Sequence, residues 1–178
     1  GPLVFLAIRK NVIAVVGIEA AGFWETMTRI STYYMLFIST ILSVYFFPKL
    51  VEAKNNLETK KVFWSFYRYI LPLFLAGLLF IYFLRNILIK LLFTTEFLPV
   101  TNLFFWQLFG DFIKVASLIL GYQFFAKKMT SAFIISEIVS LVVLYFASIY
   151  LITIFGIQGI VMAQAFDNFI YFVVLAIY

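Results

Sequence analysis

The chain of 178 residues contains no cysteine and no histidine. Without cysteine there is no disulfide, no thiolate metal site and no cysteine nucleophile. Without histidine the usual proton shuttle, the commonest metal ligand and the usual general base are missing as well. Charge is scarce too: 12% of residues are Asp, Glu, Lys or Arg, where a globular domain in water carries about a quarter. No glycine-rich phosphate cradle, nucleotide motif or catalytic triad is present, so energy from ATP would have to come from another chain, and no cofactor or metal is expected.

In place of charge the chain has apolar and aromatic residues, 65% and 21% of the total, and a mean hydropathy of +1.09. Repeated apolar runs of about twenty residues suit helices that cross a bilayer. They exclude a chain of buried core strands and a lone signal peptide. The net charge of +5 therefore bears first on membrane orientation and not on nucleic acid. The chain begins without Met, and both ends fall in apolar sequence. The expectation is a fragment of a longer protein, a single transmembrane region over 1–178.

Five full spans are expected, at 23–47, 65–84, 103–126, 131–155 and 160–178. The tail of another helix precedes them at 1–18, interrupted by Arg9, Lys10 and Asn11 and followed by a short interfacial segment. Pro48 should end the first span, since proline cannot continue the hydrogen-bond ladder. Residues 48–64 read as an amphipathic, partly helical connection, and Pro72 lies inside the second span. Residues 85–100 read as an interfacial helix on the opposite side. Lys127 and Lys128 close the third span, and the turn Gly156-Ile157-Gln158-Gly159 separates the last two. Counting cations by side gives Lys49, Lys54, Lys60, Lys61, Arg68, Lys127 and Lys128 against Arg9, Lys10, Arg85 and Lys90. The first group is expected to face the cytoplasm.

The most informative stretch is Leu103–Lys128. Asp111 and Lys114 sit near its middle, where a charge is costly. Gln107, Asp111, Lys114, Ser117 and Gly121 are spaced by threes and fours and share one helix face. A second stripe, Glu25, Thr28, Arg29, Thr32, Ser39 and Ser43, lies on the first span, with Glu25 and Arg29 in the favourable acid-first order. Both stripes suit helices lining a polar cavity. Arg29 and Lys114 are candidate cavity cations for an anionic headgroup, with Asp111, Glu25 and Gln107 beside them. The alternatives are neutralisation within Glu25–Arg29 and Asp111–Lys114, and snorkelling of Arg29. Asp111 and Asp167 are candidates for binding a coupling proton or Na⁺, or else hydrogen bonds between helices. Glu137, close to a helix end, is expected to be solvated. Trp24, Trp106, Tyr33 and Tyr122 read as interface anchors or packing residues, and Gly110, Gly121 and Gly159 as sites of close helix approach or bending.

Four blocks carry a resemblance: Ala21-Gly22-Phe23-Trp24 through Arg29-Ile30-Ser31, YFFPKL at 45–50, Gly110-Asp111 with Lys114 and Leu120-Gly121-Tyr122, and FGIQG at 155–159. With them the chain resembles the second half of bacterial Wzx-type polysaccharide flippases, the O-antigen or enterobacterial-common-antigen translocases. These lie within the MOP superfamily that includes the MATE exporters. Phe23 stands where tyrosine is frequent. The resemblance implies an all-α polytopic transmembrane bundle, the C-terminal lobe of a MATE-like transporter. It implies movement of an undecaprenyl-diphosphate-linked oligosaccharide across the inner membrane by alternating access, with no bond made or broken. The implied partners are that lipid, the bilayer, an N-terminal lobe and the polysaccharide polymerase machinery, and no nucleic acid. Arg29 and Lys114 occupy positions where the family tends to carry cations. Two alternatives stand beside it: a MATE-like exporter of organic cations, and a membrane enzyme acting on polyprenyl-linked glycans.

Overall fold

The computed structural model describes residues 2–126 and 130–177. Among them there are helices and no strands. Helix α1 (Pro2–Val16) and α2 (Ile18–Ile41) are joined through Gly17, whose φ of 96° lies in the region that favours glycine. A π-helical turn at Leu42–Phe46 leads into α3 (Phe47–Glu52). Helix α4 (Asn56–Leu92) is followed by a 3₁₀ segment, Thr95–Leu103, which passes into α5 (Phe104–Ala126). Helices α6 (Thr130–Phe155) and α7 (Gln158–Ile177) complete the chain. Among the described residues five stretches are long and apolar enough to cross a membrane: Ile18–Glu52, Asn56–Leu92, Thr95–Tyr122, Phe133–Phe155 and Gln158–Ile177. The chain is an all-α, multi-pass membrane bundle.

The helices run longer than the sequence suggests, for local reasons. Arg9, Lys10 and Asn11 do not interrupt α1, because Arg9 and Lys10 are exposed and straight-chain cations are good helix formers. The next helix opens at Ile18, directly after Gly17, and not at Phe23. Pro48 does not end the first span. The π turn immediately precedes it, and Pro48 falls in the first turn of α3, where a missing N–H costs little. The expected connection at 48–64 shrinks to the break at Ala53–Asn55. There Asn55 caps α4, its side-chain oxygen accepting from the Glu58 N–H at 2.9 Å, while Glu58 Oε2 accepts from the Lys54 N–H at 2.8 Å. Helix α4 has 37 residues, about 55 Å of helix. It absorbs Pro72 and the first half of the stretch expected to form an interfacial helix at 85–100, and the 3₁₀ segment takes up that stretch from Thr95. Lys127, Lys128 and Tyr178 lie outside the described residues.

Helix α7 is held between α5 and α6. Gly110 of α5 faces Ala165 of α7 so closely that a Cβ on Gly110 would lie 3.0 Å from the Ala165 Cα. A Cβ on Gly159 would lie 2.2 Å from the Leu151 carbonyl oxygen of α6. The turn between those helices uses Gly156 at φ 59°. Gly110 and Gly159 thus permit the close approach expected of them, whereas at Gly121 the nearest contact, Leu175, is an ordinary 3.9 Å away. Two apolar clusters fill the bundle. One, with Val12, Met27, Phe104 and Ile160, joins α1, α2, the 3₁₀ segment, α5 and α7. The other, with Leu42, Phe46, Phe66 and Ile119, joins the π turn, α4 and α5. Trp24 is buried and stacks on Phe5, Trp106 packs against Phe105 and Phe109, and Tyr122 packs against Phe46 and Phe47; Tyr33 is exposed.

Candidate functional site: a polar groove between α2, α5, α6 and α7

A groove of about 570 Å³ lies along the inner faces of α2, α5, α6 and α7. Much of its polar lining comes from the stripes read in the sequence, Thr28, Thr32 and Ser39 of α2 and Gln107, Asp111, Lys114 and Ser117 of α5, and Ser31 of α2 joins them. Helix α6 adds Glu137 and Ser140, and α7 adds Gln164, Asp167, Asn168 and Tyr171. In hydrocarbon such polar groups must find partners within the protein or in trapped water; many have protein partners, while Gln107 Oε1 and Gln164 Oε1 have none among the described residues.

Asp111 is the most enclosed charged residue of the groove. Its Oδ2 accepts from the Ser31 hydroxyl at 2.6 Å and from the Tyr34 hydroxyl, and both of its oxygens accept from Gln107 Nε2 at 3.2 Å. Hydrogen bonds to a charged acceptor are strong, and here they tie α2 to α5. Asp167, at the other end, accepts from the Ser140 hydroxyl at 3.1 and 2.9 Å, tying α7 to α6. Asn168 Nδ2 donates to the Gly110 carbonyl at 3.0 Å, on the seam where α5 and α7 approach closest. Glu137 accepts from the Tyr171 hydroxyl at 2.9 Å at the exposed margin. It lines the groove, although its place near a helix end suggested only a solvated side chain.

Lys114 is exposed to the groove and makes no ion pair or hydrogen bond among the described residues. The Asp111–Lys114 pair, one of the alternatives read in the sequence, is not formed among the described residues, and Ser31, Tyr34 and Gln107 occupy Asp111 instead. Lys114 shares the groove with both Asp111 and Asp167. Glu25 and Arg29 do not reach the groove. Position 29 is turned about 100° around α2 from Thr28, and both residues line a separate crevice of about 280 Å³ between α1 and α2. Nor do they pair with each other. Glu25 Oε1 lies 2.5 Å from Nε of Arg9, a residue of α1 that spacing within one helix could not have proposed. Ser31 and Tyr34 were also missed, though their three-residue spacing beside Thr28 was the available signal. Ser140, one of few polar residues in an otherwise apolar helix, was a further one.

One chemical property follows from this arrangement: an anion entering the groove meets an unpaired ammonium that shares the space with two hydrogen-bonded carboxylates. Comparison with known proteins agrees with a membrane transporter. Over 171 residues the chain is 28% identical to a protein named lipid III flippase from Escherichia coli (strain K12), and equally so to one of that name from Shigella flexneri. The chain is similar to lipid III flippases. The match covers 96% of this chain and 41% of each relative, so the chain spans about two fifths of the length of the flippases it matches. No family model matches the chain, and no solved structure matches it.

Proposed function

We propose that this chain is the C-terminal lobe of an inner-membrane flippase that moves an undecaprenyl-diphosphate-linked oligosaccharide, an O-antigen unit or a similar glycan, by alternating access. The observation that carries the reading is the unpaired Lys114 in a polar groove within a bundle of membrane-spanning helices. Similarity to lipid III flippases supports it. The diphosphate meets Lys114, sugar hydroxyls meet the Ser, Thr, Gln and Asn side chains of the groove, and the polyprenyl tail stays in lipid. Helices of an N-terminal lobe complete the cavity on the open side. Asp111 and Asp167, in the same groove, offer sites for a coupling proton or Na⁺. The protein then works as a transporter and not as an enzyme, delivering substrate to a polysaccharide polymerase.

The test is complementation. The full-length gene, as wild type and as Lys114→Ala, is placed in a cell lacking its own O-antigen flippase, and surface polysaccharide is blotted. Rescue by wild type and a loss of about tenfold or more in the variant is expected, from removal of a charged contact in a low-dielectric site. Full rescue by Lys114→Ala would keep the transport function and discard the cation site. Failure of a well-expressed wild type to rescue would count against the flippase reading.

A further inference from the structure

The crevice between α1 and α2 has a donor chemistry opposite to that of the groove. It is lined by Phe5, Leu6, Arg9, Trp24, Glu25, Thr28 and Arg29. Because α1 folds back on α2 through Gly17 alone, residues at equal distances from that glycine come level. Arg9 and Glu25 stand eight residues before and after it, about 12 Å from the turn. Arg29 is exposed and makes no ion pair or hydrogen bond among the described residues. Arg9 forms an ion pair with Glu25 through Nε and makes no hydrogen bond among the described residues, and Glu25 Oε1 accepts no hydrogen bond. Trp24 is 3% exposed, and its indole N–H has no partner. An orphaned buried donor costs about 1–3 kcal/mol. The crevice thus gathers two guanidiniums and the tryptophan with the unsatisfied indole N–H against one carboxylate, so cationic donors outnumber acceptors there. The neighbouring groove, in contrast, holds three carboxylates and one lysine among its described lining.

We infer that the α1–α2 crevice is a phosphate site, in which Arg9, Arg29 and the Trp24 indole N–H receive the oxygens of a phosphate ester or diphosphate. Glu25 is its resident competitor. In the empty crevice it neutralises Arg9, and an arriving phosphate takes the guanidinium over, as the bidentate geometry of arginine favours. Phe5 and Thr28 line both crevice and groove, so the two spaces adjoin. The phosphate can belong to a bilayer phospholipid or to a polyprenyl diphosphate; the chemistry is shared. This inference goes beyond the flippase reading and does not need it: it is read by binding, whereas that reading is tested by transport.

The experiment uses the full-length protein in nanodiscs of phosphatidylcholine, titrated separately with phosphatidylglycerol and with undecaprenyl diphosphate, with occupancy read by native mass spectrometry. Arg9→Gln, Arg29→Gln and Trp24→Phe are each expected to weaken at least one of the two ligands by about tenfold, the scale of one charge-assisted contact. Glu25→Gln, which removes the competitor, is expected to tighten the same ligand several-fold, an effect that a merely structural role would not give. Loss of phosphatidylglycerol alone assigns the site to a lipid headgroup, and loss of undecaprenyl diphosphate assigns it to a polyprenyl carrier. Unchanged binding of both ligands in Arg29→Gln and Trp24→Phe, or weaker binding in Glu25→Gln, would overturn the inference. Arg29→Gln is the safeguard against misfolding, because Arg29 is exposed and holds nothing in place.

Discussion

Two of the spanning helices, α4 and α5, look alike as apolar runs and differ in what surrounds them. In the most apolar stretch of each span, 61% of residues are buried within the chain for α5 and 6% for α4. Helix α5 carries small and polar residues, Gly110, Asp111, Ala116 and Ser117, at positions that are buried. Helix α4 buries Phe66, Leu78 and Ile89 and exposes Leu73, Leu79, Phe80, Phe83 and Ile87. Lipid tails are as apolar as leucine, so large apolar residues gain little by turning inwards in a bilayer. Small residues gain close backbone approach, and polar residues gain partners. Between these two helices, the small and polar residues of α5 are the buried ones and many large apolar residues of α4 are exposed.

That contrast breaks first at Gly110. Gly110→Val should be the most destabilising change of this set, about 3 kcal/mol, because the added atoms meet the backbone of Ala165 and not a side chain that can rotate away. It should also strain the bond from Asn168 to the Gly110 carbonyl. Thermal melting of the full-length protein in detergent measures the effect. A melting temperature within a degree or so of wild type would show that α5 and α7 do not pack at this seam.

Next in size is Asp111→Leu, which leaves the hydroxyls of Ser31 and Tyr34 and the amide of Gln107 without their acceptor. A loss of about 2 kcal/mol is expected from the orphaned donors. Adding Ser31→Ala and Tyr34→Phe to Asp111→Leu should recover much of it, because removing both partners of a buried hydrogen bond costs less than removing one. If the triple variant melts lower than Asp111→Leu alone, the carboxylate does not serve as the bridge between α2 and α5.

These residues show where sequence sufficed. The apolar runs gave the spans and the all-helical bundle, since nothing in water competes with lipid for stretches of that length. The threefold and fourfold spacing on α5 put Gln107, Asp111, Lys114 and Ser117 on one face, and the groove contains all four. Partners were a different matter. Asp111 finds Ser31 and Tyr34 some eighty residues away in sequence, and Glu25 finds Arg9 across a glycine turn. Rules for neighbours on one helix favour Lys114 and Arg29 instead, because only tertiary placement brings the other groups within reach. Helix ends failed for a related reason. A proline or a cluster of charges is a stop signal only when the preceding turn cannot adapt, and the π turn before Pro48 adapts.

The smallest effect belongs to the other helix and sharpens the comparison most. Gly77 of α4 has open space where a Cβ would stand, with nothing within 4 Å. It is exposed on a helix long and apolar enough to cross a membrane. Gly77→Ala therefore adds a methyl without a clash and lowers the backbone freedom of the unfolded chain. The change should be neutral to stabilising, by at most about 1 kcal/mol, the difference in helix propensity between the two residues. The same substitution is thus expected to have opposite signs at two glycines: stabilising at 77, and destabilising at 110, where the Ala165 backbone stands 3.0 Å away. Melting curves of Gly77→Ala and Gly110→Ala, recorded side by side, decide it. A marked loss at position 77 would mean that a helix not present in this chain packs against α4 there, and the exposed face of α4 would then be an interface and not a lipid surface.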